Sequence, residues 1–375
     1  MDKRIKVCIV NEPLKYGGIN LASIRFQEAL DSKKYEFVYC LRYETVGNLE
    51  QRVIDNGCRV VHVPNSELSY FKSYMFYKKL FSEEHFDIVH CHLPFFSGIV
   101  LMAAAKCGVQ KRVAHAHFSQ PYTDTNIYSK PKQFIAYFYR KAMRVLLKKY
   151  CNVKIACSRE SGEFLYGKKE FERNGIILNN GINVSEYDFN TEVRNRIREQ
   201  LSLRENDVAL VHIGMMYSVK NQSFVIDIFE DYDKLNPDSY LFLVGNGPDK
   251  DYLTEKVNQL ECHDRIVFLG EIDNVNELLQ AMDLLVFPSL HEGFPLVLIE
   301  AQASKLPCLI SDSVTVDTKL NENVEYFSLN NSALKWAEEV KSLLSTDRAD
   351  VDNSKVYSDF DLNSVSRKLD KLYSS

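Results

Sequence analysis

No C-x-x-C pair occurs anywhere in the 375 residues, and the nine cysteines are scattered and odd in number. That absence argues against a zinc knuckle or a thioredoxin-like redox centre. Even the closely spaced Cys151 and Cys157 read as buried thiols. Also lacking is any uninterrupted apolar stretch of about 18 residues, the length a membrane-spanning helix needs. The early run Val7 to Val10 is too short for the core of a signal peptide, so the chain reads as cytoplasmic. Positive charge is not in excess: 46 Lys and Arg stand against 51 Asp and Glu, a formal net charge of -5. Nucleic acid is therefore not expected as a partner. No short-period repeat and no extended low-complexity tract is present. The G-x-G-x-x-G fingerprint is missing as well, because Gly245-Asn246-Gly247-Pro248 is followed by Lys250 where the last glycine belongs.

What is there is an ordinary globular composition, 45% apolar and 26% charged, at a length that favours two domains. Short β-branched runs alternate with helix-length segments. The expected strands are Lys6–Val10, Phe37–Leu41, Arg59–Val63, Ile88–His90, Arg112–Ala116 and Val153–Ala156, then Ala209–Ile213, Tyr240–Val244, Ile266–Leu269, Leu284–Phe287 and Cys308–Ile310. Continuous apolar runs of this kind are parallel strands covered on both faces. The fold class is α/β, with two Rossmann-like doubly wound domains facing across a cleft. The turn signal Asn179-Asn180-Gly181 opens a polar stretch. It divides the chain into a first domain 1–182, a linker region 183–204 and a second domain 205–355. A final amphipathic helix in 356–375, with Leu362, Val365, Leu369 and Leu372 at helical spacing, is expected to pack back on the first domain.

The strongest chemical signal is His291-Glu292-Gly293-Phe294-Pro295-Leu296-Val297, with Glu300 following. It succeeds an apolar strand, and Pro295 suits the first turn of a helix. Amides around Gly293 to Val297 then form an anion site suited to a diphosphate. Glu292 is placed to accept from sugar hydroxyls and Glu300 from a ribose diol. The alternative is two solvated helix glutamates. A second signal ends strand Ala209–Ile213, where Gly214 permits close backbone approach and Lys220 can neutralise a diphosphate. A surface lysine on a loop is its alternative. Gly17 and Gly18, ahead of a helix beginning near Asn20, let the backbone close on a ligand. Gly245, Asn246 and Gly247 read as a tight turn bordering the nucleotide base.

His115 and His117 share a side of their strand by alternation. His117 is assigned to the sugar, and His90 and His92 stay open between structural and acceptor-side roles. No metal site is assigned, since the partners for a zinc set would be His90 and His92 alone. Asp231-Tyr232-Asp233 and Asp249-Lys250-Asp251 read as D-x-D, but each sits at a helix terminus, where carboxylates are favoured electrostatically. Lastly, Ser129 to Tyr150 carries Lys132, Arg140, Lys141 and Arg144 among interleaved aromatics and has no acidic residue. Such a helix either rests on an anionic membrane surface or packs one face while solvating the other.

At these motifs the chain resembles the retaining glycosyltransferases of family 4, which have the GT-B fold. The resemblance runs from Ile5 to about Tyr373 and is densest between Ala209 and Asp312. Phe287-Pro288-Ser289-Leu290-His291-Glu292-Gly293-Phe294-Pro295-Leu296 with Glu300 is similar to the family's donor-binding signature. Asn180-Gly181-Ile182 resembles its turn before the second domain, and Arg112 to Phe118 the stretch bearing its first-domain histidine, here His117. One position departs: Met215 stands where the family has an arginine after the glycine, leaving Lys220 as the cationic diphosphate contact. The pattern is similar to bacterial enzymes that assemble capsular, exopolysaccharide or O-antigen units.

The resemblance implies transfer of a hexosyl or N-acetylhexosaminyl unit, with retention, from a UDP-linked sugar to a lipid-linked saccharide at the inner membrane face. The catalytic residues it implies are His117, Lys220 and Glu292, with neither cofactor nor metal required. Peripheral membrane contact goes with it, and the oligomeric state stays open. Two alternatives remain at this point: a sugar-nucleotide epimerase on the same fold, and a non-catalytic subunit of a polysaccharide complex.

Overall fold

The structure is a computed structural model that describes residues 4–15, 17–67, 69–118, 130–345 and 348–375. Strands that are apolar on both sides of the pleat need cover on both faces, and the helices between them supply it. Seven strands form the first sheet: β1 (Ile5–Asn11), β2 (Tyr35–Leu41), β3 (Arg59–His62), β4 (Ile88–Cys91), β5 (Lys111–Ala116), β6 (Val153–Ala156) and β7 (Gly175–Ile177). Six form the second: β8 (Val208–Ile213), β9 (Ser239–Val244), β10 (Ile266–Gly270), β11 (Leu284–Phe287), β12 (Cys308–Ser311) and β13 (Val324–Phe327). Their orders are β3-β2-β1-β4-β5-β6-β7 and β10-β9-β8-β11-β12-β13. Every described pairing is parallel.

Each sheet therefore reverses direction beside its own first strand, between β1 and β4 and between β8 and β11. These switch points leave a crevice at the carboxyl ends of the strands, the place where doubly wound sheets take ligands. Both are Rossmann-like α/β layers, as the strand pattern predicts. The two strands missed from sequence, β7 and β13, lie at sheet edges. β7 is three residues long and begins at Gly175, and β13 carries Glu325, which hides both from an apolar-run criterion.

The chain divides into two units, Met1–Ile182 with Leu362–Ser375, and Asn183–Asp361. The stretch 183–204, read above as a linker, is folded into the second unit. Its helix Thr191–Gln200 is capped by Asn190, whose side chain accepts from the amides of Glu192 and Val193. Few apolar residues mark it because arginines dock it. Arg194 and Arg198, one turn apart, reach Asp283 at 2.6 and 3.2 Å, and the second oxygen of Asp283 accepts from the Ala209 amide at 2.7 Å. Asp283→Ala strands two guanidinium groups in a part-buried site. It should cost about 3–5 kcal/mol, read as a lowered urea midpoint. A midpoint equal to wild type would refute that role.

The expected final helix is divided at Asp361. Ser354–Phe360 belongs to the second unit, and Leu362–Ser374 completes the first. Val365, Leu369 and Tyr373 are buried among Val7, Ile9, Ile24 and Phe26. Asp370 accepts from Lys34 Nζ and Tyr35 Oη at 2.7 Å each, and Lys111 Nζ donates to the Leu372 carbonyl at 2.6 Å. In the second unit, Trp336 is fully buried against Phe224 and Phe327. All nine cysteines are free thiols, eight of them buried. Among the described residues no helix is long and apolar enough to cross a membrane.

Candidate active site

In the second unit, the loops that leave β8 and β11 meet at the switch point. After β8 the chain passes Gly214 and Met215, makes a 3-10 turn at Ser218–Lys220, and enters the helix Gln222–Leu235. After β11 it passes Pro288 to Pro295 and enters the helix Leu296–Ala303. The loops are stitched together by the Leu290 amide on the Val219 carbonyl at 2.8 Å and by Asn221 Nδ2 on the Pro288 carbonyl at 3.1 Å. This stitching brings Lys220 Nζ to 2.7 Å from Glu292 Oε1, with side chains 21% and 10% exposed. The same ammonium lies 5.3 Å from the Phe287 ring centroid. Two residues assigned separately from sequence, one to phosphate and one to sugar, are thus one charge pair.

Pro295 is the N-cap of the helix Leu296–Ala303 rather than its first residue, and no side chain caps that end. The first-turn amides of Leu296 and Val297 therefore keep their donor capacity at the switch point. Glu300 follows in the second turn, half-buried. Phe294 stacks on Phe360 at 5.6 Å and 15°, which fixes the loop to the helix Ser354–Phe360. Its role in the structure is to position Gly293 and Pro295.

Three glycines of this unit, Gly214, Gly245 and Gly247, sit where the loops after β8 and β9 approach each other. A Cβ on Gly245 would lie 2.2 Å from the Gly214 carbonyl oxygen, and one on Gly247 2.4 Å from that of Met216. Gly245 also holds φ at 121°, a backbone conformation that favours glycine. The close approach is between loop and loop, with the Met216 amide donating to the Asn246 carbonyl at 2.9 Å. Gly214, Gly245, Asn246 and Gly247 thus set the path of the backbone that carries Lys220. Met215, where the resemblance expects arginine, is 50% exposed.

Sequence reasoning missed His212. It is buried on β8, its Nδ1 is 2.9 Å from the Val286 carbonyl, and its ring stacks on Phe287. Its Nε2 is buried without a partner, on the side of Gly214. Burial, aided by the Lys220 charge, pushes its pKa down to about 4, so the ring is neutral at pH 7. A histidine on an apolar strand is commonly a core residue, and only the unmet Nε2 distinguishes this one.

In the first D-x-D segment Asp233 takes two donors of Arg265 at 2.7 Å and Asp231 accepts from Lys234 at 3.1 Å. Both lie toward the C-terminal end of Gln222–Leu235, where the helix dipole does not favour them as the sequence reading expected, and these ion pairs hold them instead. Asp249 is the N-cap of Lys250–Val257, without a side-chain cap bond.

In the first unit, the helix Gly18–Ala29 starts directly at Gly18, with Gly17 as its N-cap, two residues before the expected start. Both glycines are exposed. Across the switch point, β4 and β5 bring four buried histidines into one array. His90 stacks on His92 at 4.4 Å and His115 on His117 at 4.1 Å. His90 Nε2 pairs with His115 Nδ1 at 3.2 Å, His92 Nδ1 with His117 Nε2 at 2.8 Å, and His90 Nδ1 with Tyr373 Oη at 2.5 Å.

Burial depresses all four, and repulsion from neighbouring histidines adds to it at His90, His92 and His115. His90 and His117 fall to about 3, and His92 and His115 fall well below the usual value. The buried His117 Nδ1 and Asn180 Oδ1 make no hydrogen bond of standard geometry, and the nearness of the Asn180 side chain partly offsets the effect of burial on His117. Ligand atoms of His90, His92 and His115 lie within 4.8 Å of one another, the one such metal-capable group among the described residues. Both ring nitrogens of His90 are engaged, by Tyr373 and by His115, while His115 Nε2 is buried without a partner. His117 thus has a neutral imidazole and a donor–acceptor atom left over.

Of the basic residues assigned to a membrane or acceptor face, Arg140, Lys141 and Arg144 lie on the helix Lys130–Tyr150. The Lys132 side chain lies outside the described residues.

Residues 16–186 match the model for Glycosyltransferase Family 4, and residues 193–356 that for Glycosyl transferases group 1. The chain is 27% identical over 340 residues to the putative glycosyltransferase EpsF of Bacillus subtilis (strain 168), covering 89% of this chain and 86% of the relative. It is 24% identical over 379 residues to the capsular polysaccharide biosynthesis glycosyltransferase CapH of Staphylococcus aureus, covering 99% of each. Among solved structures, Anabaena Alr3699/HepE in complex with UDP-glucose superposes with a TM-score of 0.78 at 16% identity, over 99% of this chain and 100% of that one. At that identity the superposition speaks for the fold alone. With a Rossmann-like parallel sheet under each matched model, the chain belongs to the glycosyltransferases of GT-B fold, a Family 4 unit forming its first half and a group 1 unit its second.

Proposed function

We propose that this glycosyltransferase moves a sugar from a nucleoside diphosphate sugar, UDP-linked, to a lipid-linked saccharide during assembly of a surface polysaccharide, with retention of configuration. The observation that carries the donor assignment is the pair Lys220–Glu292, 2.7 Å apart at the β8–β11 switch point beside an uncapped helix start. A diphosphate arriving there meets one ammonium and the free amides of Leu296 and Val297, donors that stabilise charge as it develops on the leaving group. Glu292, released from Lys220 by the phosphate, accepts from sugar hydroxyls, and Glu300 takes the ribose diol. His117 hydrogen-bonds a sugar hydroxyl as a neutral imidazole, and Gly17 and Gly18 offer backbone to the ligand. No step in this reading uses a metal ion or a further cofactor. The kinship to CapH supports polysaccharide assembly.

A panel of UDP-, GDP- and dTDP-sugars tests the donor by thermal shift. The matching UDP-sugar at one hundred times its Kd should raise Tm by roughly 5–10 °C, because ligand binding to the folded state adds about 2.7 kcal/mol. UDP release that depends on a lipid-linked acceptor then tests the transfer, and the anomeric configuration of the product tests retention. A chain that responds to no UDP-sugar sinks the donor assignment.

A further inference from the structure

Neither the fold nor the donor site makes use of the free end of the His212 ring. Nδ1 lies 2.9 Å from the Val286 carbonyl, which only accepts, so Nδ1 carries the ring's proton. Burial keeps the ring neutral at pH 7. Nε2 is then a bare lone pair, buried without a donor. An unpaired polar atom in the interior is costly, and a phenyl ring would fill the same place on Phe287 without that cost.

Lys220 lies beside this lone pair. A Cβ placed on Gly214 would stand 3.6 Å from His212 Nε2 and 3.5 Å from both Cδ and Cε of Lys220. Having none, Gly214 leaves a methyl-sized gap between the imidazole and the lysine stem. Both groups also lie against one ring: His212 stacks on Phe287 at 5.6 Å and 20°, and Lys220 Nζ is 5.3 Å from its centroid. The ammonium has three N–H donors. Among the described residues, Glu292 Oε1 is its one hydrogen-bond acceptor. Spare donors and an unmet acceptor therefore flank the same gap. A ligand from solvent finds Nε2 closed off, since that atom is buried, whereas Lys220 needs no entry path. A diphosphate is in any case the wrong partner, because its oxygens accept as Nε2 does.

We propose that His212 is a positioning residue for Lys220: when a diphosphate draws the lysine away from Glu292, Nε2 accepts a hydrogen bond from its ammonium and holds it over the leaving group. The inference rests on the donor reading of Lys220 and Glu292 and deepens it. A neutral acceptor suits the task. A second carboxylate would hold the lysine as firmly, but it would repel the diphosphate and cancel the positive charge. An imidazole lone pair leaves that charge free to meet the one that develops on departure. Gly214 serves the same contact, because a side chain there would stand between the two groups.

Steady-state kinetics of the full-length chain, with the UDP-sugar that raises its Tm, test the proposal. His212→Phe keeps a ring on Phe287 and removes the acceptor. It should lower kcat about 10- to 100-fold, the worth of one hydrogen bond to a charged group, and leave the donor KM within about twofold. Its Tm should equal or exceed wild type, since a buried unmet acceptor is gone. His212→Gln, which returns an acceptor near the place of Nε2, should recover most of the loss. In a Lys220→Ala background, His212→Phe should cost nothing further, because the residue acts through the lysine. A merely structural histidine would instead lower Tm and impair both backgrounds alike. That result, or wild-type kcat in His212→Phe, overturns the proposal. Nitrogen-15 NMR of the wild-type imidazole reads the contact without any substitution. The bare Nε2 resonance should move upfield on saturation with UDP, and a resonance that stays in place overturns the proposal. Wild-type kcat in Lys220→Ala takes down the donor reading itself. An impaired Lys220→Ala beside an unimpaired His212→Phe takes down this inference alone.

Discussion

Glu292→Gln should lower kcat/KM for sugar transfer by a factor of about 10²–10³, equivalent to about 2.7–4 kcal/mol of lost transition-state stabilisation. The substitution keeps the shape of the side chain and removes its charge. Lys220 then loses the partner 2.7 Å away that holds its ammonium at the switch point, and sugar hydroxyls lose a strong acceptor. Lys220→Ala should cause a loss of similar size by the other route, since departing diphosphate charge then meets helix amides alone. The double variant should be far less impaired than the product of the two single losses, because the residues act as one unit. Initial rates of UDP release measure all three, with circular dichroism confirming the fold. Wild-type rates in either single variant would remove the pair from the active site.

Acid should unfold the first unit well before ordinary carboxylate titration would. His90 and His117 bind protons at about pH 3 in the folded chain, against an ordinary value of 6.5. Between those values the unfolded chain holds more protons than the folded one, so stability is complete above about pH 6.5 and falls as pH drops toward 3. From pH 7 to pH 5 each such histidine costs about 2 kcal/mol, so these two together cost about 4 kcal/mol. His92 and His115 shift in the same direction and add to the loss. The groups packed on the rings are one another, Phe26 and Tyr373, none of them anionic at pH 7 to offset the effect. The second unit has His212 alone in this class, at about 4. Urea titrations at pH 7, 6 and 5, with amide exchange followed unit by unit, should show protection falling first around β4 and β5. Equal protection there at pH 7 and pH 5 would contradict the buried neutral array.

How much of this was legible in the sequence depends on how local each signal is. The strands were legible wherever both faces are buried, because Val208 to Ile213 or Leu284 to Phe287 cannot be anything but interior. Edge strands β7 and β13 were not, since one side of each is solvated. The segment from His291 to Glu300 was legible because a strand end, a glycine, a proline and a helix start follow one another within a few residues. Its charge pair was not, since Lys220 lies 72 positions away and only the parallel neighbours β8 and β11 bring it near. The same holds for the histidines: alternation placed His115 and His117 on one side, while their pairing with His90 and His92 depends on strand register. The helix Thr191–Gln200 was hidden because arginine, not leucine, docks it.

The helix Leu362–Ser374 closes the first unit from the far end of the chain, inserting Val365, Leu369 and Tyr373 into a core begun at Val7. During synthesis, residues up to Ile182 emerge long before that helix exists. At 5–20 residues per second the ribosome needs roughly ten to forty seconds to add the intervening segment. Over that interval the amino-terminal half presents an open apolar trough, while the carboxy-terminal half can collapse as soon as it clears the exit tunnel. Because the second unit ends at Asp361, directly before that helix, both units reach completion at nearly the same late point of synthesis.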